Sequence, residues 1–366
     1  MSYVTFKLDN IAEINPRLPK GINEEQVVNF ISMASVSEAG KIISQEKKTI
    51  KSLKKGFTYF ERGDVLLAKI TPCFENGKAT YVENIDSQIG FGSTEFHVLR
   101  PNTELVNPKY LFYLVWNEKF RFLAEKKMTG SAGQKRVPVD YLRNYEVKLP
   151  TLEQQDLIVK TLDKSYEIKR KRIEAVKIQQ ELLNAIFFKM FGDPIINNKN
   201  WNTKPLGDVI KLSSGTGLIA KAMDQDGIYP VYGGNGITGY HSEYMFSDPQ
   251  LIIGRVGVYC GKIHITKPNS WVTDNALYVK KYLCDTNIHY LSQLLEILNL
   301  NQFAGRAAQP LVSGSRIYPI EAIFPPIEEQ NKFEHIKKEI LFTYEVINSS
   351  QNSIEEFIGS LSRSIA

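Results

Sequence analysis

Three cysteines in 366 residues, Cys73, Cys260 and Cys284, are odd in number and scattered along the chain. They lack the paired close spacings of a zinc site or of a secreted disulfide framework, so they read as reduced and structural. Histidine is scarce too: none of the five, His97, His241, His264, His289 and His335, forms a helical H-x-x-x-H pair or sits with a cysteine, and no metal is expected. No apolar run approaches the length that spans a bilayer. The start, Met1-Ser2-Tyr3-Val4-Thr5-Phe6-Lys7, has no long apolar stretch behind a basic end, so a cytoplasmic location and no membrane partner are expected. Low-complexity tracts are absent, and 43% hydrophobic with 23% charged residues argues against a disordered or fibrous chain. Neither sign of charge dominates: 45 Lys and Arg against 40 Asp and Glu give a net charge of +5, which suits a polyanionic partner without requiring one.

What the chain does have is an internal repeat, and a repeat decides architecture. Gly130-Ser131-Ala132-Gly133-Gln134, Val137 and Leu149-Pro150-Thr151-Leu152-Glu153-Gln154-Gln155 recur as Gly305-Arg306-Ala307-Ala308-Gln309, Val312 and Phe324-Pro325-Pro326-Ile327-Glu328-Glu329-Gln330, at a constant offset of 175. Upstream the match loosens. Lys7-Leu8-Asp9-Asn10-Ile11 resembles Pro205-Leu206-Gly207-Asp208-Val209, and Val65-Leu66-Leu67-Ala68-Lys69-Ile70 resembles Leu251-Ile252-Ile253-Gly254-Arg255-Val256, with the offset drifting from 198 to 186. Two copies of one scaffold with diverged interiors share a fold and differ in what they touch. The interiors differ most between Gly21 and Gly63 against Gly217 and Ser247.

After each copy the apolar period changes from strand-like to helical. Leu162, Tyr166, Ile173, Val176, Leu183, Phe187 and Met190 follow three- and four-residue steps with Lys169 and Gln180 in polar slots, the pattern of a long helix with a seam. Phe333, Ile336, Ile340, Tyr344, Ile347, Ile354, Ile358 and Leu361, with Gln351 in a polar slot, predict a second. Pro150, Pro325 and Pro326 stop the preceding strands, Glu153, Glu328 and Glu329 suit first turns, and Gly192-Asp193-Pro194 closes the first helix. Strands are expected from Asp64 to Ile70 and Leu251 to Val256, and one short helix in each copy, around Pro108 to Lys126 and Asn287 to Gln302.

The fold class expected is therefore α/β (α+β), with two similar strand-rich domains and two long helices forming an antiparallel coiled coil in a pseudo-twofold repeat. The expected domains are 1–150, a spacer helix over 151–191, a second domain over 192–325 and a distal helix over 326–366. Each helix of roughly 35 to 40 residues at about 1.5 Å per residue would be on the order of 55 Å long, more than one turn of B-DNA at roughly 34 to 36 Å.

The strand-rich domain, the Gly130-Ser131-Ala132-Gly133-Gln134-Lys135-Arg136 loop, the Leu149-Pro150 to Gln155 helix start and the seamed helix, all repeated, resemble the specificity subunit of a type I restriction-modification system over nearly the whole chain. The resemblance implies a non-catalytic subunit in which each variable domain reads one half of a bipartite double-stranded DNA site, while the helices dock two methyltransferase subunits, to which motor-nuclease restriction subunits are added. It implies adenine methylation with S-adenosylmethionine held by the methyltransferase, and no cofactor in this chain. Phe324-Pro325-Pro326-Ile327 lacks the preceding Asp or Asn and the following aromatic of an amino-methyltransferase loop. The dissimilar interiors imply an asymmetric target.

The candidate DNA contacts are Ser131, Gln134, Lys135 and Arg136 in the first copy and Arg306, Gln309 and Arg316 in the second, with the strand pair Lys69 and Arg255 and the nearby Lys78 and Lys262. They offer phosphate donors and base-edge readers together; the plainer reading is that glycine and glutamine fix a turn and the basic groups stay solvated. Gly234-Asn235-Gly236-Ile237-Thr238-Gly239 fits the dinucleotide pattern by letter, but Tyr240-His241-Ser242-Glu243-Tyr244 follows it, so a β-turn is expected rather than a strand-to-helix phosphate loop. Glu46-Lys47-Lys48, Glu125-Lys126-Lys127 and Lys169-Arg170-Lys171-Arg172 read as solvated faces. A different class of function also fits: a protein-interaction scaffold with two adapter domains on a coiled-coil spacer, its basic charge incidental.

Overall fold

A computed structural model describes residues 3–131, 133–218, 223–224, 226–305, 310–349 and 351–365, without the side chains of 344–349, 351–352 and 364. The chain divides into two compact units, residues 1–171 with 350–366 and residues 172–349.

In the first unit the opening strand Val4–Lys7 pairs antiparallel with Glu146–Leu149, Val4 opposite Leu149, which ties the two ends of the strand-rich region together. A four-stranded antiparallel sheet follows, in the order Ala12–Ile14, Phe96–Pro101, Val65–Ala68, Ala79–Tyr81. Its strand Val65–Ala68 is buried at every position, as an unbroken apolar run predicts for a strand covered on both faces. The two-residue strand period sorts these side chains. Val65 and Leu67 enter the larger core with Leu99, Tyr110, Leu114 and Leu162, while Leu66 and Ala68 face a smaller one with Phe60, Phe96 and Val98. A second four-stranded sheet supplies Phe60 to that smaller core, in the order Glu46–Thr49, Val27–Ile31, Ile89–Gly92, Thr58–Glu61.

The second unit repeats the framework. Thr203–Pro205 pairs with Glu321–Ile323, and a four-stranded antiparallel sheet runs Ile210–Ser214, Ala276–Tyr282, Leu251–Gly254, Ile263–Ile265. Leu251 and Ile253 face the main core and Ile252 the back, with Tyr232 and Val272. The remaining sheet has three strands, Gly236–His241, Tyr229–Gly233, Trp271–Val272, where the first unit has four. The divergent interiors of the sequence are thus this extra sheet, and the repeated segments are the sheet it leans on. Gly233 lies opposite Gly236 in the hairpin, so Gly234-Asn235 is a two-residue turn, as expected for that segment.

Each framework sheet carries a helix on its main-core face, and the single short helix expected in each unit is corrected. Pro108–Trp116 is followed by a separate helix, Glu118–Glu125, because Asn117 takes an extended backbone and its side chain accepts Lys119 N–H at 2.7 Å, starting a new helix. Ile288–Ile297 is followed by a 3₁₀ turn, Leu300–Phe303, after Asn299 adopts φ 48.

The long helix is Leu152–Phe191. Gly192, with φ 76, donates its N–H to Phe188 O at 2.8 Å and closes the helix as its sequence predicts. In the first unit Leu162 is fully buried, Tyr166 stacks on Tyr113 with centroids 5.8 Å apart and planes 6° apart, and Leu361 and Ile365 of the helix Gln351–Ile365 join the same core. Lys169 pairs with Glu355 at 3.0 Å, so these helix segments run antiparallel. Ile358 is buried there and Ile354 half-buried. In the second unit Phe187 and Phe191 pack on Phe333 of the helix Ile327–Ser349 and on Tyr290; Leu183 is buried, and Val176 and Ile340 are half-buried.

Two expectations about the seams change. Ile173 is 57% exposed, so it lies outside the packed stretch that the residue spacing assigned to it. Lys337, absent from the predicted seam, is 5% exposed and packed inside. The side chains of Tyr344, Ile347 and Gln351 lie outside the described ones. Among the described residues no helix is long and apolar enough to cross a membrane, and no group of three His, Cys, Asp or Glu residues could hold a metal ion.

Candidate nucleic-acid interface

The predicted site residues of the first unit gather where the strand Val65–Ala68 ends. Past that end Lys69 donates its N–H to Glu95 O at 2.9 Å, and Val137 donates to Lys69 O at 2.9 Å, which carries the returning loop alongside. The loop is a closed turn: Thr129 and Arg136 exchange N–H···O bonds at 3.0 and 2.8 Å, and Gln134 N–H reaches Ser131 O at 3.0 Å. Thr71 pins it from the other side, its hydroxyl donating to Gly133 O at 3.0 Å and accepting Lys135 N–H at 3.2 Å. Gly130 has φ 130, and a Cβ there would stand 2.7 Å from Gln134 O; the turn closes only over glycine.

Beneath the loop lies His97, 3% exposed. Asn15 accepts Val98 N–H through its oxygen at 3.0 Å, which turns its amide nitrogen toward His97 Nδ1 at 3.3 Å. His97 Nε2 therefore carries the proton and donates to Val137 O at 2.8 Å. Burial pushes the imidazole down to about 4, so it is a neutral strut under the loop.

On the surface Ser131, Gln134 and Lys135 are exposed. Arg136 donates from Nε and Nη2 to the two carboxylate oxygens of Glu95 at 2.9 and 2.8 Å, and this guanidinium holds the Glu95 carboxyl below its ordinary range. Burial lowers the half-buried Lys69 ammonium. The half-buried Lys78 donates from its ammonium to Met33 O at 3.2 Å.

The second unit builds the same place on the same backbone. Arg255 donates its N–H to Asn275 O at 2.9 Å and accepts Val312 N–H at 3.0 Å, repeating Lys69 with Glu95 and Val137. Its guanidinium donates to Ser214 Oγ at 3.0 Å. Gly254 N–H bonds to Lys262 O at 2.7 Å as Ala68 N–H does to Lys78 O at 2.9 Å, so Lys262 is the counterpart of Lys78, here with an exposed side chain. Arg316 is not the counterpart of Arg136. The bridge that pairs Ile70 with Arg136 pairs Val256 with Leu311, and Arg316 stands on the turn of helix Gly314–Ile317, where its Nη1 donates to Phe303 O at 3.3 Å. Arg306 and Gln309 lie outside the described residues. The sequence reading missed Glu95; its signal was its place just before the framework strand Phe96–Pro101, matched by Asn275 before Ala276–Tyr282.

A framework sheet built twice, each with a helix-covered core and a private sheet behind, and in the first unit a glycine-closed basic loop at the strand end, is a tandem module. The family model described as the type I restriction modification DNA specificity domain matches residues 2–183 and again 198–356, and the chain belongs to that family. It is 42% identical over 153 residues to the EcoAI type I restriction enzyme specificity subunit of Escherichia coli, a stretch covering 42% of this chain and 26% of that protein. It is 35% identical over 184 residues to the EcoEI specificity subunit of Escherichia coli, covering 49% of this chain and 31% of that one. The matched chain thus spans less than a third of each of these two relatives. The EcoprrI specificity subunit of Escherichia coli matches at 24% over 321 residues, 83% of this chain and 77% of its own length. The crystal structure of the S subunit of a type I restriction-modification system from M. genitalium shares the fold, with a TM-score of 0.68 at 14% identity over 100% of this chain and 96% of that one.

Proposed function

We propose that this chain is the DNA-reading specificity subunit of a type I restriction-modification complex. Each unit reads one half of a bipartite, asymmetric site in double-stranded DNA, and the chain itself performs no catalysis. The observation that carries this reading is one backbone framework built twice, with the same strand-end hydrogen bonds at Lys69 and Arg255 and matching bridges of Ile70 with Arg136 and Val256 with Leu311, while the private sheets and the side chains at the strand end differ. Duplication serves two related targets, and divergence makes them unequal. Ser131, Gln134, Lys135 and Arg136 of the first unit, and Arg255, Lys262, Arg306, Gln309 and Arg316 of the second, supply the donors for phosphates and base edges. Lys69 adds charge beside the first loop.

Two methyltransferase subunits dock on the helices and hold S-adenosylmethionine, and motor-nuclease restriction subunits join them; the transfer to adenine takes place in those partners in the cytoplasm. Single-molecule sequencing of methylated adenines, in hosts with and without this chain beside its methyltransferase, tests the reading. A split motif with a fixed spacer that appears only with the chain is the expected result. Unchanged methylation despite complex formation overturns it in favour of a protein-interaction scaffold, and a palindromic motif overturns the asymmetry.

A further inference from the structure

We propose that Arg136 reads a guanine in the half-site of the first unit and that Glu95 is the positioning residue that aims it; this rests on the DNA-reading function above. Three residues meet at the strand end: Lys69, Glu95 and Arg136 in the first unit, and Arg255, Asn275 and Leu311 in the second. Lys69 bonds Glu95 as Arg255 bonds Asn275, and Arg136 bridges Ile70 as Leu311 bridges Val256, so the backbone places these residues alike in both copies. A side chain needed to hold that backbone would be repeated with it, as Val137 is by Val312. Lys69 keeps its charge as Arg255, but Glu95 is replaced by a neutral amide and Arg136 by an aliphatic side chain, so those two side chains answer to something outside the fold.

The first unit's version has the geometry of a base reader. The Arg136 guanidinium lies flat against Glu95 through Nε and Nη2, and Nη1 donates to Gln134 O at 3.3 Å. Of five N–H groups, two, one on each terminal nitrogen, remain unengaged among the described residues, and two parallel donors match the O6 and N7 acceptors of guanine in the major groove. The side chain is 42% exposed against 26% for Glu95, so the arginine is the outer member. Thr71 and the Thr129–Arg136 bridge fix the loop from which it projects, which removes most of the ordering cost of binding.

The carboxylate also decides between phosphate and base. A paired Arg136–Glu95 unit is close to neutral and carries a negative edge that a phosphate would face at short range, so it gains little from the polyanionic backbone. A base edge is uncharged and directional, and a guanidinium held in one plane discriminates among such edges. An inert surface ion pair would instead leave both residues replaceable without consequence for the target.

The test uses the complete methyltransferase complex on duplexes of the motif found by methylation sequencing, each with 7-deazaguanine at one guanine. Binding by wild type is expected to fall roughly 10- to 100-fold at one guanine of one half-site, while Arg136→Ala binds the modified and unmodified duplexes alike and Arg136→Lys, a point donor without the planar fork, shows a reduced difference. Glu95→Gln, which keeps the arginine but frees its charge, is expected to narrow that discrimination and to steepen the salt dependence. A uniform loss across all duplexes with a shallower salt slope assigns Arg136 to phosphate and overturns the proposal, as does a half-site without a sensitive guanine. A split motif with unaltered discrimination in the variants sinks this inference alone; no motif at all sinks the parent reading with it.

Discussion

The side-chain oxygen of Gln155 accepts the backbone N–H of Asn107 at 2.8 Å, and in the second unit Gln330 does the same for Asn287 at 3.0 Å. Each asparagine is the cap of a core helix, accepting the N–H groups two and three residues on. Each glutamine donates its amide to a carbonyl at the end of the preceding strand, Pro150 O at 3.0 Å or Pro325 O at 2.8 Å. One fully buried amide therefore joins strand exit, helix start and core helix. Gln155→Leu would leave that N–H and two carbonyls buried without partners, at a cost on the order of 3 kcal/mol. Gln155→Glu is expected to be no better, since it accepts but cannot donate. Hydrogen exchange should show faster opening of Pro108–Trp116 in both variants and unchanged protection of Ile288–Ile297.

This clamp was visible in the sequence only as a repeated glutamine. Alternation and step patterns in the apolar residues marked the helices and the buried strands, and the matched segments at a constant offset of 175 marked the repeat. The break at Asn117 was hidden because a cap reads like any polar residue inside an amphipathic pattern. The pairing of Arg136 with Glu95, 41 positions away in the chain, depends on strand order, which no local pattern encodes. Arg316 is basic like Arg136 but stands five residues past Leu311, the residue that shares Arg136's register.

His97 predicts how the first unit responds to acid. Its folded value of about 4 lies below the unfolded value near ~6.5, so the unfolded chain binds more protons between the two. The stability this group preserves is whole above pH ~6.5 and is lost as pH falls toward 4, amounting to about 3 kcal/mol. Urea unfolding at pH 7.5 and 4.5 should show a larger acid loss for wild type than for His97→Gln.

Lys337 makes the opposite end of the scale informative. Burial pushes its ammonium down to about 8, with Glu296 opposing the shift, below the unfolded value near ~10.4. Protonated in both states at pH 7, it weighs against folding; stability should rise between pH 8 and 10 as the folded form releases its proton first. The wild-type rise in urea midpoint over that range should exceed that of Lys337→Met by an amount equivalent to a few kcal/mol at most.

Gly130→Ala tests the loop. The strained φ and the collision with Gln134 O should cost about 1–2 kcal/mol and displace Gln134 to Arg136. Site-specific methylation should fall well before the melting temperature does, whereas Gly133→Ala, at φ 80 but with nothing within 4 Å of its Cβ, should cost only the backbone strain of about 1 kcal/mol without a collision and disturb the loop less.

The buried ammonium of Lys337 has a meaning for a chain that contains nearly the same parts twice. Lys337 occupies the place of Leu162, and its partners Ser292, at 2.8 Å, and Gln293, at 3.0 Å, occupy the places of Phe112 and Tyr113. A helix carrying Lys337 that folded onto the wrong copy would press its charge against Phe112 and against a tyrosine whose hydroxyl already donates to Asp163 at 2.6 Å. That charge would lose the acceptors Ser292 and Gln293 give it and keep at most one tyrosine oxygen, an error costing on the order of a few kcal/mol. The lysine thus acts as an address: during folding it tells two look-alike helices which home is theirs.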